Sequence, residues 1–309
     1  MKENIKLDTK NLALLRELEK DSRTPISKIA KRIKVSKEVA HYRLNKLIES
    51  GLIKEFDLIV DYFSLGYKCY RLVINLQNLK YDIRKDIIDD LKNFKKIDLN
   101  VYLSSDMDLE LNVWVRYSNE FYDFYNYLIN KYSEYINDKE LYLVTKIHIA
   151  SHGYLHNGNN VIKLGEDKTV QEIDDIDEKL IEILEKNPRE DIVEVSKEIK
   201  IPISTIHYRI KQLKEKKIIK GTIPIFDKSV IGYNTYKVEI VLKDPQQKKE
   251  FVNYLAAQLQ VTKITEIIGN KDLDFYADFK TTHELDAFLE QLRLKVPQIK
   301  DFEVVNIVT

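Results

Sequence analysis

Cysteine, glycine and long apolar runs are scarce in this sequence. Cys69 is its one cysteine, which excludes an intramolecular disulfide framework and cysteine-rich zinc modules. Eight glycines in 309 residues give little support to a glycine-rich phosphate loop. No run of 18 apolar residues occurs, and the opening MKENIKLDTK lacks the apolar core of a signal peptide. We therefore expect a cytoplasmic protein that does not enter a membrane.

The sequence also carries no net charge, because 50 basic residues balance 50 acidic ones. This balance excludes a basic chromatin tail and an acidic disordered chain. A hydrophobic fraction of 44% predicts a folded protein with sizeable cores. The length suits two domains of about 150 residues or four smaller ones.

The chain repeats itself at an offset of 166 residues. The segment HYRLNKLIESGLIK from His41 returns as HYRIKQLKEKKIIK from His207. The offset stays constant from Asp8 and Asp174 to the Gly-Tyr pairs that begin at residues 66 and 232. Asp108-Leu109 and Asp272-Leu273 match again at an offset of 164. The repeat predicts a tandem pair of units, roughly 1–150 and 173–309.

Each unit begins with a pattern of three short helices and a wing. Ser36 is positioned to cap the third helix, and Gly51 to end it in a left-handed conformation. The second unit has Pro202 and Lys217 at these two positions, so a non-glycine residue takes the left-handed site. Alternation from residue 54 to 61 predicts a short strand pair as the wing. Apolar spacing predicts that five residues of the third helix face inward: Val39, Ala40, Leu44, Leu47 and Ile48.

After each wing the pattern predicts strand, helix, strand, strand, helix, strand, which is the ferredoxin-like βαββαβ layout. The fold class is therefore α+β, with two copies of a winged helix-turn-helix followed by a ferredoxin-like domain. The predicted boundaries are 1–60 and 61–150 for the two domains of the first unit, 151–172 for an irregular linker, and 173–226 and 227–309 for the second unit.

This combination resembles the Lrp/AsnC (feast/famine) transcription regulators. The matching residues in the first unit are Leu7-Asp8, Arg23, Ile29-Ala30, Val35-Ser36, Arg43-Leu44, Leu47, Gly51-Leu52-Ile53-Lys54 and Leu65-Gly66-Tyr67. The resemblance implies DNA binding and pairing of units through the sheet domains, so the fused chain is expected to be a pseudo-dimer with further homo-oligomerisation through those domains. It also implies a small effector, such as an amino acid, at Gly269, Asp272 and Asp274. Ser104-Ser105 replaces that glycine in the first unit, which makes effector binding there doubtful.

The third helices are the candidate reading elements, because the second helix of a helix-turn-helix pair enters the major groove. Arg43 and Arg209 match a family arginine that contacts phosphate or braces the helix. Eight basic residues between 28 and 54, and seven between 200 and 220, give each head a local charge of +6. The candidate DNA-binding residues are Ser36, Lys37, Glu38, His41, Tyr42, Arg43, Asn45, Lys46, Ser204, Thr205, His207, Tyr208, Arg209 and Lys211.

Three other groups invite functional interpretations. His148, His152 and His156 have the spacing of a helical metal site, but the pattern there predicts a strand end and a loop, so no metal or other cofactor is expected. Cys69 lies in an apolar strand and is expected to be a buried, inert thiol. Aromatic residues crowd segment 121–135, either as packing of an amphipathic helix or as an oligomerisation surface.

The interpretation favoured by these patterns is a transcription regulator that binds double-stranded DNA and has no enzymatic activity. Two alternatives stay open. Sirohaem decarboxylases share the layout, although the motifs expected of them are only faintly matched by Asn100-Val101-Tyr102 and Asn112-Val113-Trp114. An architectural protein would use the same residues to bind DNA without reading bases.

Overall fold

The computed structural model describes residues 7–77, 81–101, 107–167 and 169–307. In the first unit the helices are α1 Thr9–Lys20, α2 Ile26–Ile33, α3 Lys37–Glu49, α4 Tyr81–Leu91 and α5 Ser118–Tyr132. The strands are β1 Ile53–Val60, β2 Lys68–Leu76, β3 Ile97–Val101, β4 Leu109–Val115 and β5 Ile136–Ala150.

The second unit repeats this order after a connecting segment that holds α6 Gly153–His156 and β6 Val161–Leu164. Its helices are α7 Asp175–Lys186, α8 Ile192–Ile199, α9 Ile203–Glu215, α10 Lys248–Ala256 and α11 Thr282–Lys295. Its strands are β7 Ile219–Phe226, β8 Asn234–Leu242, β9 Val261–Ile268, β10 Leu273–Phe279 and β11 Ile299–Ile307. Within the described residues, no helix is long and apolar enough to cross a membrane.

The turn after each third helix confirms the predicted left-handed conformations. Gly51 has φ +80° and Lys217 has φ +57°. A lysine in this region is strained because its Cβ approaches the following carbonyl, which costs roughly 1–2 kcal/mol. Ser36 caps α3 by accepting a hydrogen bond from the Val39 amide, whereas Pro202 provides no side-chain cap to α9.

The two sheet domains confirm the α+β class. Each has the ferredoxin-like strand order, β5-β2-β4-β3 in the first unit and β11-β8-β10-β9 in the second. The edge strands β5 and β9 pair antiparallel, from Leu143 opposite Ile268 to Ile149 opposite Lys263. With β6 added to β5, the described residues form one nine-stranded sheet that runs through both units.

The predicted wings are wrong in one respect, since neither is a strand pair within its own unit. β1 instead pairs antiparallel with β7, with Phe56 opposite Pro224 and Ile59 opposite Gly221. Each unit supplies a single strand between its third helix and its sheet domain, and the amides and carbonyls of that strand need a partner. The other unit provides it.

This pairing exchanges core residues between the units. Leu58, Val60 and Leu65 of the first unit pack in the core formed by α7, α8 and α9. Phe226 of the second unit packs in the core formed by α1, α2 and α3, with Val230 against it. Strand β1, at the end of the predicted domain 1–60, therefore completes the second head. Strand β7, at the end of the predicted domain 173–226, completes the first.

The sequence predicted an irregular linker at 151–172, but part of this segment is a strand. Its strand β6 pairs with β5, with Ile147 opposite Leu164 and Ala150 opposite Val161. Three apolar residues in the four of β6 allow this short segment to extend the sheet.

Two reciprocal ion pairs lie between the sheet domains. Arg71 of the first unit binds Asp274 of the second, and Lys237 Nζ of the second lies 2.5 Å from Glu110 Oε2 of the first. Arg71 corresponds to Lys237 and Glu110 to Asp274 in the repeat, so the two pairs are related by its pseudo-symmetry. All four side chains are buried, so each charge depends on its partner in the other unit for compensation.

Candidate nucleic-acid interface

Helix α3 presents a continuous polar face to solvent. Leu44 and Leu47 are buried and hold the helix against α1 and α2, while Tyr42 is 63% exposed. The other exposed candidates on this helix and its cap are Ser36, Lys37, Glu38, His41, Asn45 and Lys46. His41 Nδ1 and the Asn45 side-chain amide are 3.3 Å apart, so these two groups adjoin on the same face. The face offers hydroxyl, imidazole, amide and amine groups, all of which can bond base edges or phosphates.

Helix α9 presents the same kind of face. Ile206 and Leu213 are buried, while Tyr208 is 62% exposed, almost the value of its counterpart Tyr42. Ser204, His207 and Lys211 are also exposed, and Thr205 is half-buried. Both candidate reading helices are thus accessible from solvent.

Arg43 and Arg209 brace their helices. Arg43 Nη1 lies 2.7 Å from Asp8 Oδ2, at the start of α1. Arg209 Nη1 lies 2.8 Å from both Asp174 and Asp177, at the start of α7. Of the two roles considered for this arginine, the contacts correspond to bracing the third helix against the first.

Two inward predictions for α3 are wrong. Val39 is 42% exposed and Ile48 is 40% exposed, because the helix contacts its neighbours along a narrower stripe than the apolar pattern suggested. Val39 therefore adds an apolar group to the outward face, where it is suited to contact a thymine methyl.

The two heads contact one another directly. Arg23 of the first head donates to the Pro188 and Glu190 carbonyls of the second, at 2.6 and 3.1 Å. Lys214 of the second head lies 2.8 Å from Asp21 of the first. These contacts, together with the exchanged strands β1 and β7, join the two heads to one another.

The predicted effector turn is occupied by contacts within the fold. A Cβ added to Gly269 would lie 2.4 Å from the Tyr142 ring, so the close approach requires glycine. Asp272 accepts a hydrogen bond from the Leu242 amide, and Asp274 is the buried partner of Arg71. Ser104-Ser105 lies outside the described residues.

The three spaced histidines do not share one site. His152 and His156 both hydrogen-bond Glu19, a buried carboxylate of α1 that no sequence pattern singles out. His148 Nε2 lies 2.9 Å from Glu266 Oε1 instead. No cluster of metal-ligating side chains is found among the described residues.

The remaining candidates are Cys69 and the aromatic residues of α5, and most of them are buried. Cys69 is fully buried, and burial raises the pKa of its thiol well above the ordinary range. On α5, Phe121 and Phe124 enter the core, while Tyr122 is 63% exposed beside a groove that includes Leu141. Oligomerisation through this aromatic face stays a prediction.

A cleft of about 790 Å³ lies between the β1–β7 ribbon and the sheets, and sequence reasoning missed it. Asp57, Asp98 and Glu185 line it together with Trp114, and Trp114 Nε1 donates to Asp98 at 2.9 Å. Burial raises the pKa of Asp57 to about 6, and the neighbouring carboxylates add to the rise. These residues come from distant parts of the chain, so no local pattern links them.

Comparisons with known proteins agree with this geometry. A family model described as winged helix-turn-helix DNA-binding matches residues 7–54 and again 173–220. The HTH-type transcriptional regulator FL11 of Pyrococcus furiosus is 31% identical over 120 residues, which cover 39% of this chain and 80% of FL11. FL11 of Pyrococcus horikoshii is 30% identical over 118 residues, which cover 38% and 78%.

One solved structure resembles both units together. The siroheme decarboxylase NirDL aligns over 97% of this chain and 91% of its own, with a TM-score of 0.64 and 13% sequence identity. At this identity the likeness shows the fold alone. It extends over the paired arrangement of heads and sheets rather than over one unit.

Proposed function

We propose that this chain, which belongs to the Lrp/AsnC family of helix-turn-helix transcription regulators, binds a bipartite DNA site as a single intramolecular pseudo-dimer. Membership of this family supports a role in transcription regulation through DNA binding. The proposal adds that both heads of one chain bind the same duplex. It also adds that the protein binds chromosomal DNA in the cytoplasm.

The observation that supports the proposal most directly is the exchange of strands between the heads. Leu58 and Val60 complete the second head, and Phe226 completes the first. Neither head then has a complete core without the other unit, so the two are held at a fixed spacing. A pair of helix-turn-helix heads related by a two-fold axis reads half-sites one helical turn, or a multiple of it, apart.

We assign base and phosphate contacts to the exposed faces of α3 and α9. His41 with Tyr42, and His207 with Tyr208, form the part of these faces that both heads share. Arg43 and Arg209 act indirectly, by positioning the helices. The residues proposed to touch DNA are Ser36, Lys37, Glu38, His41, Tyr42, Asn45, Lys46, Ser204, Thr205, His207, Tyr208 and Lys211.

Selection of random duplex DNA by the purified chain tests the proposal. We expect a bipartite motif whose affinity falls steeply when His41-Tyr42 or His207-Tyr208 is replaced by Ala-Ala. Tyr122→Ala is the matched control, because that tyrosine has the same exposure as Tyr42 but lies on a sheet domain. Absence of enrichment at low salt would refute the regulator role. Equal affinity for random and selected duplexes would indicate an architectural protein instead.

We extend the proposal to a small effector, such as an amino acid, at the 269–274 turn. The carboxylates of Asp272 and Asp274 are already engaged, so a ligand there would be held by backbone groups beside Gly269. Titration calorimetry with single amino acids tests this step. Heat that persists unchanged in Gly269→Ala, which forces Tyr142 to move, would place the ligand elsewhere.

The decarboxylase alternative rests on the likeness of fold. The NirDL structure was also solved with an iron-uroporphyrin III analogue. Uroporphyrins carry several carboxylates, whereas the cleft in this chain is lined by four carboxylates and only two ammonium groups, those of Lys186 and Lys263. This excess of negative charge disfavours such a ligand. We expect no change in the visible spectrum of a tetrapyrrole when the protein is added, and a clear shift would favour the enzyme.

A further inference from the structure

The second helices of the two heads carry very different charge. Residues 26–34 hold Lys28, Lys31, Arg32 and Lys34 with no acidic residue, a net charge of +4. The equivalent residues 192–200 hold two lysines and two glutamates, a net charge of zero. Glu194 takes the place of Lys28, while Lys197 and Lys200 correspond to Lys31 and Lys34. The local charge of +6 in both heads does not show this difference, because residues 200–220 exclude Glu194 and Glu198 of the second helix.

The contacts widen this difference. Lys28, Lys31 and Lys34 are exposed, and none has a side-chain hydrogen bond or ion pair within the described parts of the chain. Lys197, the counterpart of Lys31, lies 2.6 Å from Glu194. The first head therefore keeps three ammonium groups for an external anion. At the equivalent positions of the second head Glu194 is acidic, Lys197 is paired, and Lys200 alone is an exposed lysine with no ion pair among the described residues.

Other lysines of the second head are also paired. Lys214 lies 2.8 Å from Asp21, Lys217 lies 3.6 Å from Asp167, and Lys220 lies 3.3 Å from Asp61. Asp21 and Asp61 belong to the first unit, so the pairing of units itself neutralises charge on the second head. In the first head Arg32 is similarly paired with Glu17, which leaves the three lysines.

The reading helices differ as well. Their shared His-Tyr pairs are flanked by Glu38 in α3 and Ser204 in α9, and by Asn45 in α3 and Lys211 in α9. All four flanking residues are exposed. Carboxylate, hydroxyl, amide and ammonium groups favour different base edges, so the two helices are suited to different flanking bases.

From these differences we infer that the two heads bind DNA unequally and that the operator has two unlike half-sites. The first head supplies most of the phosphate contacts, through α2, while the second contributes chiefly through α9. This inference rests on the proposed function, because it divides the same DNA site between the heads. The partner is a duplex whose affinity depends more on the half-site under the first head.

Matched substitutions at equivalent positions test the division of phosphate contacts. We compare Lys31→Gln with Lys197→Gln, and both with the triple change Lys28→Gln, Lys31→Gln, Lys34→Gln, by measuring affinity for the selected duplex over a range of salt. Each phosphate contact contributes about 0.9 to the slope of log K against log salt. The triple change should flatten the slope by about 2.7 and Lys31→Gln by about 0.9, while Lys197→Gln leaves it unchanged. Equal slopes for the two single variants would overturn the inference.

The motif from DNA selection provides the second test. We expect a shared centre in each half-site with different flanks, and we expect Glu38→Ser with Asn45→Lys to shift the first half-site towards the second. A perfect palindrome selected by the wild-type chain would refute unequal reading and leave the regulator role intact. If no duplex is enriched, the proposed function itself fails. Thermal melting of every variant separates loss of contacts from loss of folding.

Discussion

The buried pair between Arg71 and Asp274 leads to a quantitative prediction about how the units are held together. Asp274→Asn removes the charge that binds Arg71, and both side chains are only 1% exposed. Breaking one side of a buried ion pair costs about 3–5 kcal/mol, because the remaining charge stays buried without its partner. Arg71 keeps a 2.9 Å hydrogen bond to Asn112 and lies 3.5 Å from Glu110. We therefore expect a loss near the lower end, about 3 kcal/mol of unfolding free energy.

Urea unfolding near neutral pH measures this loss. The control is Lys92→Gln, since Lys92 and Asp89 form an exposed pair whose loss should cost less than about 1 kcal/mol. The double change Arg71→Met with Asp274→Leu removes both charges and should recover most of the stability, because apolar replacements of a buried pair are often neutral. A loss below about 1 kcal/mol for Asp274→Asn, or no recovery in the double variant, would refute the reasoning about this interface.

Three further predictions concern single side chains. Burial alone would raise the pKa of Glu19, but hydrogen bonds from His152 and His156 lower it to about 2, below its ordinary value. Glu19 therefore stabilises the fold above about pH 4.5 and loses this contribution as the pH falls towards 2. Glu19→Gln should make the urea midpoint depend less on pH over that interval. Burial raises the pKa of Asp57 to about 6, so its ionisation opposes folding above that pH. Asp57→Asn should raise the urea midpoint at about pH 8 and change it much less at about pH 4, and equal effects at both would contradict this. Lys217→Gly relieves a left-handed lysine but adds freedom to the unfolded chain, so unfolding free energy should rise by about 0.5–1 kcal/mol, and any loss of stability would be evidence against strain at this turn.

The order of helices and strands could be predicted because periodicity and the repeat support each other. The predicted βαββαβ order is present in both units, and Gly51 and Lys217 both adopt the left-handed conformation expected at the end of the third helix. The bounds of single strands are harder to predict: β5 begins at Ile136, although its polar first residues do not resemble a buried strand.

The arrangement between units could not be predicted in the same way. The alternation in β1 indicates a strand, but it does not specify that β7 of the other unit is the partner. Arg71 and Lys237 look like solvent-facing strand residues in sequence, and only the opposed sheets make them buried partners of Asp274 and Glu110.

The candidate reading faces were predictable from helical spacing, whereas their electrostatics were not. Counting charges gave both heads +6, but Lys214 is paired with Asp21 from the opposite unit. Val39 and Ile48 were expected to face inward and are exposed. Helical spacing shows which residues are apolar, but it does not show how wide a stripe of the helix the neighbouring helices cover.

Hydroxyl-radical footprinting of the selected duplex, combined with the mass of the complex, tests the central claim most directly. One chain should protect two regions of the same duplex about one helical turn apart, and both should be lost when either His-Tyr pair is replaced. Protection of one region per chain, or a complex that needs two chains for a single bipartite site, would contradict the intramolecular pseudo-dimer.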